Sequence, residues 1–294
     1  MAVPWFYDAD TSGNLFSLPL IGRQLSRFPF ELSRNHHYSP MCGRFTLATP
    51  TRQFAQAFLP DWSVEDAEQR ATELKYAKRY NIAPTEQIDV VRRLSPDEDG
   101  LPDGAPPSRT WDRMHWGLIP EGSTSRASAN AMINARGETV HEKRSFAAAF
   151  AWRRCVIPMG GYYEWRRVEG SRQKQPYWIS AAGGGTLAAA GIWEINRHLQ
   201  SKTMYSCSLI TTSANQTTKR IHDRMPVFLA MNQLDEWMNP NATTRDLREM
   251  LQPADAQLLR VRPVSDRVGS TSNQGERLIE EVAEKTIRVQ GDLF

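Results

Sequence analysis

Cysteine is scarce in this chain. Three residues, Cys42, Cys155 and Cys207, are spread over 294 positions with no Cys-x-x-Cys pair. That spacing argues against a disulfide framework or a zinc knuckle, and it fits a reducing compartment. A dominant charge is missing too. Lys and Arg number 36 against 33 Asp and Glu, a net charge of +3, which on its own is too weak to hold a nucleic acid unless the charge is clustered. No run reaches the roughly 18–20 apolar residues of a spanning helix. Asp8 and Asp10 stand where a secretory signal would be basic, and no apolar stretch follows them. With 40% hydrophobic and 23% charged residues, the composition is that of an ordinary globular protein. It excludes a collagen, a coiled coil or a wholly disordered chain. A cytoplasmic protein that is monomeric, has no membrane partner and needs no cofactor or metal is expected.

What is present is aromatic and loop-rich, with nine Trp and eighteen Pro. Residues 1–40 are mixed and aperiodic and read as a poorly ordered extension; residues 41–294 read as one domain. Within that domain, Cys42–Ala48, Gln87–Leu94, Thr110–Leu118, Arg154–Met159, Tyr162–Arg167, Tyr177–Ser180, Thr186–Glu194 and Tyr205–Thr212 read as strands. Helices are expected over 50–58, 139–150, 232–239 and 244–251. The polar segment 63–78 reads as surface, Tyr80–Pro84 as a turn, and 95–108, rich in Pro, Asp and Gly, as a mobile hairpin loop. Many short strands with a few helices predict an α+β fold with a β-rich, barrel-like mixed core and peripheral helices.

Six strings stand out: Met41-Cys42-Gly43-Arg44, Tyr80-Asn81-Ile82-Ala83-Pro84, Trp116-Gly117, Ile133-Asn134-Ala135-Arg136, Gly161-Tyr162-Tyr163-Glu164-Trp165 and Ile221-His222-Asp223-Arg224-Met225-Pro226. Taken singly, each has a plain explanation. Asn134 caps a helix, Glu164 lies on the solvent face of a strand, His222 belongs to a surface ion cluster, and Cys155 and Cys207 are small core residues. In this order, from Met41 to about Val282, the strings resemble the SRAP family, named SOS response-associated peptidases and understood as abasic-site processing proteins. The resemblance implies a covalent DNA–protein link to abasic sites in single-stranded DNA as part of the DNA-damage response, and a nucleoid-associated location in a bacterium. It implies Cys42 as the attacking residue, with Asn134, Glu164 and His222 completing the catalytic set. Arg44 and Arg136 fall on phosphate-gripping positions and Thr211 on a polar position of the site. Trp116 and Trp165 are candidates for stacking on bases.

The chemistry follows from the residue types. A cysteine at a chain start offers an amine and a thiol, with free pKa values of about 8 and 8.5. The amine adds to the aldehyde of a ring-opened abasic sugar, and the thiolate then closes a thiazolidine. Glu164 suits removal of the amine proton, and His222 suits protonation of the sugar ring oxygen. Asn134 can hold the adduct through its amide, and the arginines can grip phosphate through two N–H groups each. While residue 41 is attached, however, the Cys42 nitrogen is an amide and cannot attack. Three explanations answer this: Met41 is the true start, the favoured one; the extension is removed before Cys42; or the crosslinking activity is lost. Two other functions stay open. A thiol peptidase or autopeptidase would pair Cys42 with His222, and a non-covalent single-strand binder would need only the arginines and aromatics.

Overall fold

We describe the protein from a computed structural model covering residues 42–94, 109–127, 129–199 and 203–285. The expected extension and the 95–108 loop lie outside the described residues. In chain order the elements are β1 (Phe45–Leu47), α1 (Thr51–Phe58), α2 (Val64–Glu73), β2 (Arg79–Ile82), β3 (Gln87–Arg93), β4 (Arg109–Trp116), β5 (Asn134–Arg136), α3 (Ala147–Trp152), β6 (Arg154–Met159), β7 (Gly161–Arg167), β8 (Lys174–Ala181), β9 (Leu187–Asn196), β10 (Met204–Ser213), β11 (Arg224–Pro226), β12 (Phe228–Leu229), α4 (Leu234–Met238), α5 (Thr244–Glu249) and β13 (Leu259–Pro263). This is the mixed α+β composition the sequence predicts. No helix among the described residues is long and apolar enough to cross a membrane.

The core is a closed five-stranded barrel. Pairing runs β10–β4–β3–β6–β9 and returns from β9 to β10. Closure explains the sequence of β9, Leu-Ala-Ala-Ala-Gly-Ile-Trp-Glu-Ile-Asn, in which nine of ten residues are buried. A strand covered on both faces loses the apolar–polar alternation of a half-exposed one. β10 changes partners along its ten residues. Its first part lies between β4 and β9. Its end, Leu209–Thr211, then pairs in parallel with Asn134–Arg136, and Thr211–Ser213 pairs antiparallel with β11. A second sheet has the order β13-β8-β7-β1-β2 and is antiparallel throughout.

Several local expectations need correction. Asn134-Ala135-Arg136 is a strand, because the end of β10 offers it a ladder of backbone partners that a helix cap would forgo. The helix expected over 139–150 is confined to Ala147–Trp152; the stretch His141–Arg144 has no apolar stripe to bury, and Val140 and Phe146 anchor a series of turns instead. Residues 64–73 form α2, capped by Ser63 accepting from the Asp66 amide and buried only through Ala67 and Ala71. Its apolar face is too narrow to register as a pattern. Tyr80 to Ile82 lie in a strand, held to β1 through the Phe45–Ile82 pair. Its buried Asn81 donates to the carbonyls of Val268, Ser270 and Asn273, at 3.2, 2.8 and 3.1 Å, pinning the segment after β13 to that edge.

Gly161 starts β7 where the indole of Trp178 crosses the sheet. An added Cβ would lie 2.6 Å from Trp178 Nε1 and 2.7 Å from the Ile179 carbonyl oxygen. The indole can turn away, but the carbonyl is backbone and cannot. Gly161→Ala is therefore expected to destabilise the fold by about 1–3 kcal/mol, read from the urea midpoint at unchanged m-value.

Candidate active site

The site is built where the second sheet meets the end of β10. β1 pairs with β7, and one step before β1 the Tyr163 amide donates to the Arg44 carbonyl at 2.9 Å. Continuing that register sets Gly43 opposite Glu164, with Cys42 next to it. The Cys42 backbone nitrogen donates to Glu164 Oε1 at 2.5 Å. Both residues are sealed from solvent, at 1% and 3% exposure, and Cys42 takes a positive φ of 43°, a conformation uncommon for a side-chain-bearing residue.

The electrostatics follow from that burial. Desolvation raises the Glu164 carboxyl, against the opposing influence of His222 and of hydrogen bonds from Cys42 and the Trp165 amide. The Cys42 thiol is pushed well up, first by burial and then by the neighbouring Glu164 charge, with Arg224 acting in the opposite sense. The Tyr162 phenol, also buried, is raised by burial and by both of these groups.

His222 precedes β11 and is partly exposed, at 18% for its side chain. The Arg224 amide donates to His222 Nδ1 at 3.0 Å, so the neutral ring carries its proton on Nε2. Asp223 Oδ1 lies 2.9 Å from the same Nδ1, where it can accept only from the protonated ring. The Arg224 guanidinium binds both carboxylate oxygens of Glu138 and donates to the Thr211 carbonyl at 2.7 Å and to Thr211 Oγ1 at 3.3 Å. Thr211 is fully buried and sits in register with Arg136, with Asn134 two positions earlier on the same parallel pairing. Cys42, Glu164 and His222 thus gather at one locus, while Arg224 links the His222 segment to the strand pair that carries Asn134, Arg136 and Thr211.

Two expected roles change. Trp116 is 1% exposed, packs edge-on against Phe45 at 5.1 Å and donates through Nε1 to the Ile133 carbonyl at 2.9 Å. Its ring is a core element that braces the residue before Asn134, and it is not presented for stacking on a base. Arg44 lies beside Tyr163, on the sheet face opposite Glu164. It donates to Asn81 Oδ1 at 2.8 Å and to the carbonyls of Val268 and Gly269 at 2.9 and 3.2 Å. Among the described residues this leaves Nε and one Nη2 hydrogen for an outside acceptor. Arg136 is exposed. Cys155 and Cys207 are buried in the barrel, as expected of small core residues. No cluster of three His, Cys, Asp or Glu side chains among the described residues has a metal-holding arrangement.

Sequence reasoning assigned no role to Tyr162, Glu138 or Arg224. Tyr162 and Arg224 lie inside two of the quoted strings. Only the pairing of β10 with β11 reveals that Arg224 reaches across to Thr211.

A closed barrel flanked by a second sheet, with a cysteine backbone nitrogen held on a buried carboxylate, is the arrangement this chain presents. The chain belongs to the SOS response associated peptidase (SRAP) family, whose model matches residues 41–271. It is 34% identical over 241 residues to the abasic site processing protein YoqW of Bacillus subtilis, covering 82% of this chain and 99% of that one. It is 28% identical over 275 residues to the abasic site processing protein HMCES of Rattus norvegicus, covering 79% and 74% of the two chains. A crystal structure of a Bacteroides thetaiotaomicron protein superposes with a TM-score of 0.67 at 22% identity, over 82% of this chain and all of that one. The last likeness concerns the fold.

Because the folded protein holds the Glu164 proton more tightly than the unfolded chain does, this residue favours folding below the ordinary carboxylate pKa, about 4.3. That advantage is lost as pH rises through the raised folded value. Glu164→Gln, which keeps an acceptor for Cys42, should raise Tm relative to wild type at pH 7, and the gap should close towards pH 4. Calorimetric scans across that range check the sign.

Proposed function

We propose that this protein binds abasic sites in single-stranded DNA and links covalently to them through Cys42, once residues 1–41 no longer precede it. The observation that carries the reading is the 2.5 Å contact between the Cys42 nitrogen and Glu164 Oε1. An amide at that place has no lone pair to offer, but an α-amine at the same place would have a carboxylate ready to take its proton. A raised carboxyl suits that work near neutral pH. The names of the relatives, abasic site processing proteins of bacteria and mammals, support the choice of substrate.

The steps balance without a further reagent. The protonated His222 ring, held at Nδ1 by Asp223, gives its Nε2 proton to the sugar ring oxygen, the anomeric hydroxyl releases its own proton to water, and the ring opens to the aldehyde. The Cys42 amine adds to the aldehyde carbon, passing a proton to Glu164, and Glu164 returns it to the carbinolamine hydroxyl so that water leaves and an iminium remains. That cation beside the thiol offsets the burial that otherwise holds the thiol protonated. The thiol passes its proton to Glu164 as the sulfur adds to the same carbon, the iminium π electrons return to nitrogen, which becomes neutral, and the product is a thiazolidine plus one water. Asn134 and Thr211 hold the adduct, and Arg136, with the remaining donors of Arg44, takes flanking phosphates. Trp165, partly exposed on β7, packs with Tyr163 and Trp178 on the reverse face of the sheet, so neither tryptophan is given a base contact at Cys42. The protein acts as a monomer in the compartment that holds its DNA.

A thiol peptidase would need Cys42 as a thiolate beside its base. The buried thiol is pushed up, and among the described residues no hydrogen bond joins it to His222, so the amine chemistry is the better supported.

Protein beginning at Cys42 should form an adduct stable to heating in detergent with a single-stranded oligonucleotide bearing an abasic site. Chain that keeps residues 1–41 should form none. Cys42→Ala should give only an imine, trapped by borohydride and lost on standing. Glu164→Gln and His222→Ala should slow adduct formation by about 10²–10⁴-fold with little change in binding. Gel time courses separate these effects. Normal crosslinking by the stably extended chain would sink the reading.

A further inference from the structure

The reverse face of the second sheet carries a pocket that the Cys42 chemistry does not use. Along β7, β8 and β13 the register aligns Tyr163, Trp178 and Arg262. Side chains alternate across a sheet, so these three point away from the face that carries Glu164. Arg260 and Arg262, two residues apart on the edge strand β13, therefore lie on this same outer face. Together with Trp178, Ser180, the 182–185 turn and Gly160 they enclose a cavity of about 220 Å³. That is below the range of a drug-sized ligand pocket, about 300–1,000 Å³.

The charge in this pocket is unbalanced. Arg260 reaches Glu281 at 3.4 Å, and both side chains are more than half exposed. Arg262 has no carboxylate within ion-pair distance among the described residues. Its guanidinium lies over the Trp178 ring, 4.5 Å from the centroid. Its Nε is shielded from solvent and meets no acceptor. A guanidinium seated over an indole is restrained in direction, and two guanidinium forks on one face suit a tetrahedral oxyanion, which can take paired N–H donors from each. The facing turn contributes Gly184 and Gly185, at φ of 77° and 86°. That backbone favours glycine, so no side chain from these two positions closes the mouth. Burial and the neighbouring Arg260 disfavour the charge on Arg262, only partly offset by Glu281, and a bound anion would relieve that cost.

We propose that this pocket is a phosphate-binding site, with Arg262 as its principal ligand, Arg260 as the second and Trp178 as the platform that aims the fork. The phosphate belongs either to a nucleic-acid backbone crossing the reverse of the sheet or to a free phosphate.

The test uses the full chain and its R262Q, R262K and R260Q variants. Inorganic phosphate is titrated at constant ionic strength against chloride, and the arginine Nε–Hε resonances are followed in ¹⁵N spectra. Wild type should show saturable shifts confined to a few arginine signals. R262Q should weaken binding at least tenfold, R260Q less, and R262K should recover only part of the loss, because it restores charge without the fork. Melting in chloride alone shows whether each variant folds, and R260Q carries the test if R262Q does not. Next, the salt dependence of binding to an undamaged single-stranded oligonucleotide separates the sources. A fall of about 1 in the salt slope for R262Q assigns the site to a backbone phosphate. An unchanged slope with phosphate binding lost assigns it to free phosphate. Absence of saturable phosphate binding by wild type, equal binding by a folded R262Q, or displacement by polyglutamate with no response to phosphate would each overturn the proposal. No arm depends on Cys42 or on an abasic site, so failure here leaves the crosslinking chemistry untouched.

Discussion

A carboxylate out of water next to a backbone nitrogen is the constraint on which the site rests. Glu164 is 3% exposed, and a buried carboxylate is costly unless donors satisfy it. Its donors are the Cys42 and Trp165 amides, with His222 nearby. Cys42 cannot drift without stranding that charge, and Glu164 cannot turn outward without breaking the β7 pairing on either side of it. Residues 42–44 lie just outside β1, yet the hydrogen bond from the Tyr163 amide to the Arg44 carbonyl ties them to β7.

The barrel supplies the other half of the site by letting β10 exchange partners. Had β4 paired with β10 along its whole length, Asn134-Ala135-Arg136 would have no edge to join. Because β4 meets only Ser206 and Cys207, the end of β10 takes β5 on one side and β11 on the other. Arg224 then ties them together, with its backbone on β11, its guanidinium on Thr211 and Glu138, and its amide setting the His222 tautomer. One arginine thereby sets both the ring orientation of the histidine and its spacing from the Asn134 strand. Trp116, which the sequence suggested as a base platform, turns out to hold the Ile133 carbonyl from inside the core. Its contribution to the site is mechanical.

The second sheet works on both faces. Tyr162 and Glu164 face the barrel side, while Tyr163, Trp178 and Arg262 face the other. The core face is committed to packing and to the contact between Glu164 and Cys42. The outer face holds a separate small cluster, Tyr163 and Trp178 with Val264 and Val268, and beside it the arginine pair.

Much of this was legible in the linear order of residues. Apolar runs and alternation identified β3, β4, β6, β7, β9 and β10 almost to their ends, because buried strands are written in their own side chains. The six strings identified the family and placed Cys42, Asn134, Glu164 and His222 in one constellation. Short elements that borrow their stability from distant partners were not legible. β2, β5 and α2 bury two residues, one and two respectively, too few to leave a periodic trace. The roles of Trp116 and Arg44 were likewise out of reach, since whether an indole is a platform or a prop depends on what lies over it. Residue type and order alone determined the family and the candidate set, a cysteine with a carboxylate and an imidazole. Tertiary structure alone decided which nitrogen meets which carboxylate, which tautomer the histidine holds and which arginines remain available, because each is settled by contacts between residues up to 225 positions apart, which no local pattern encodes.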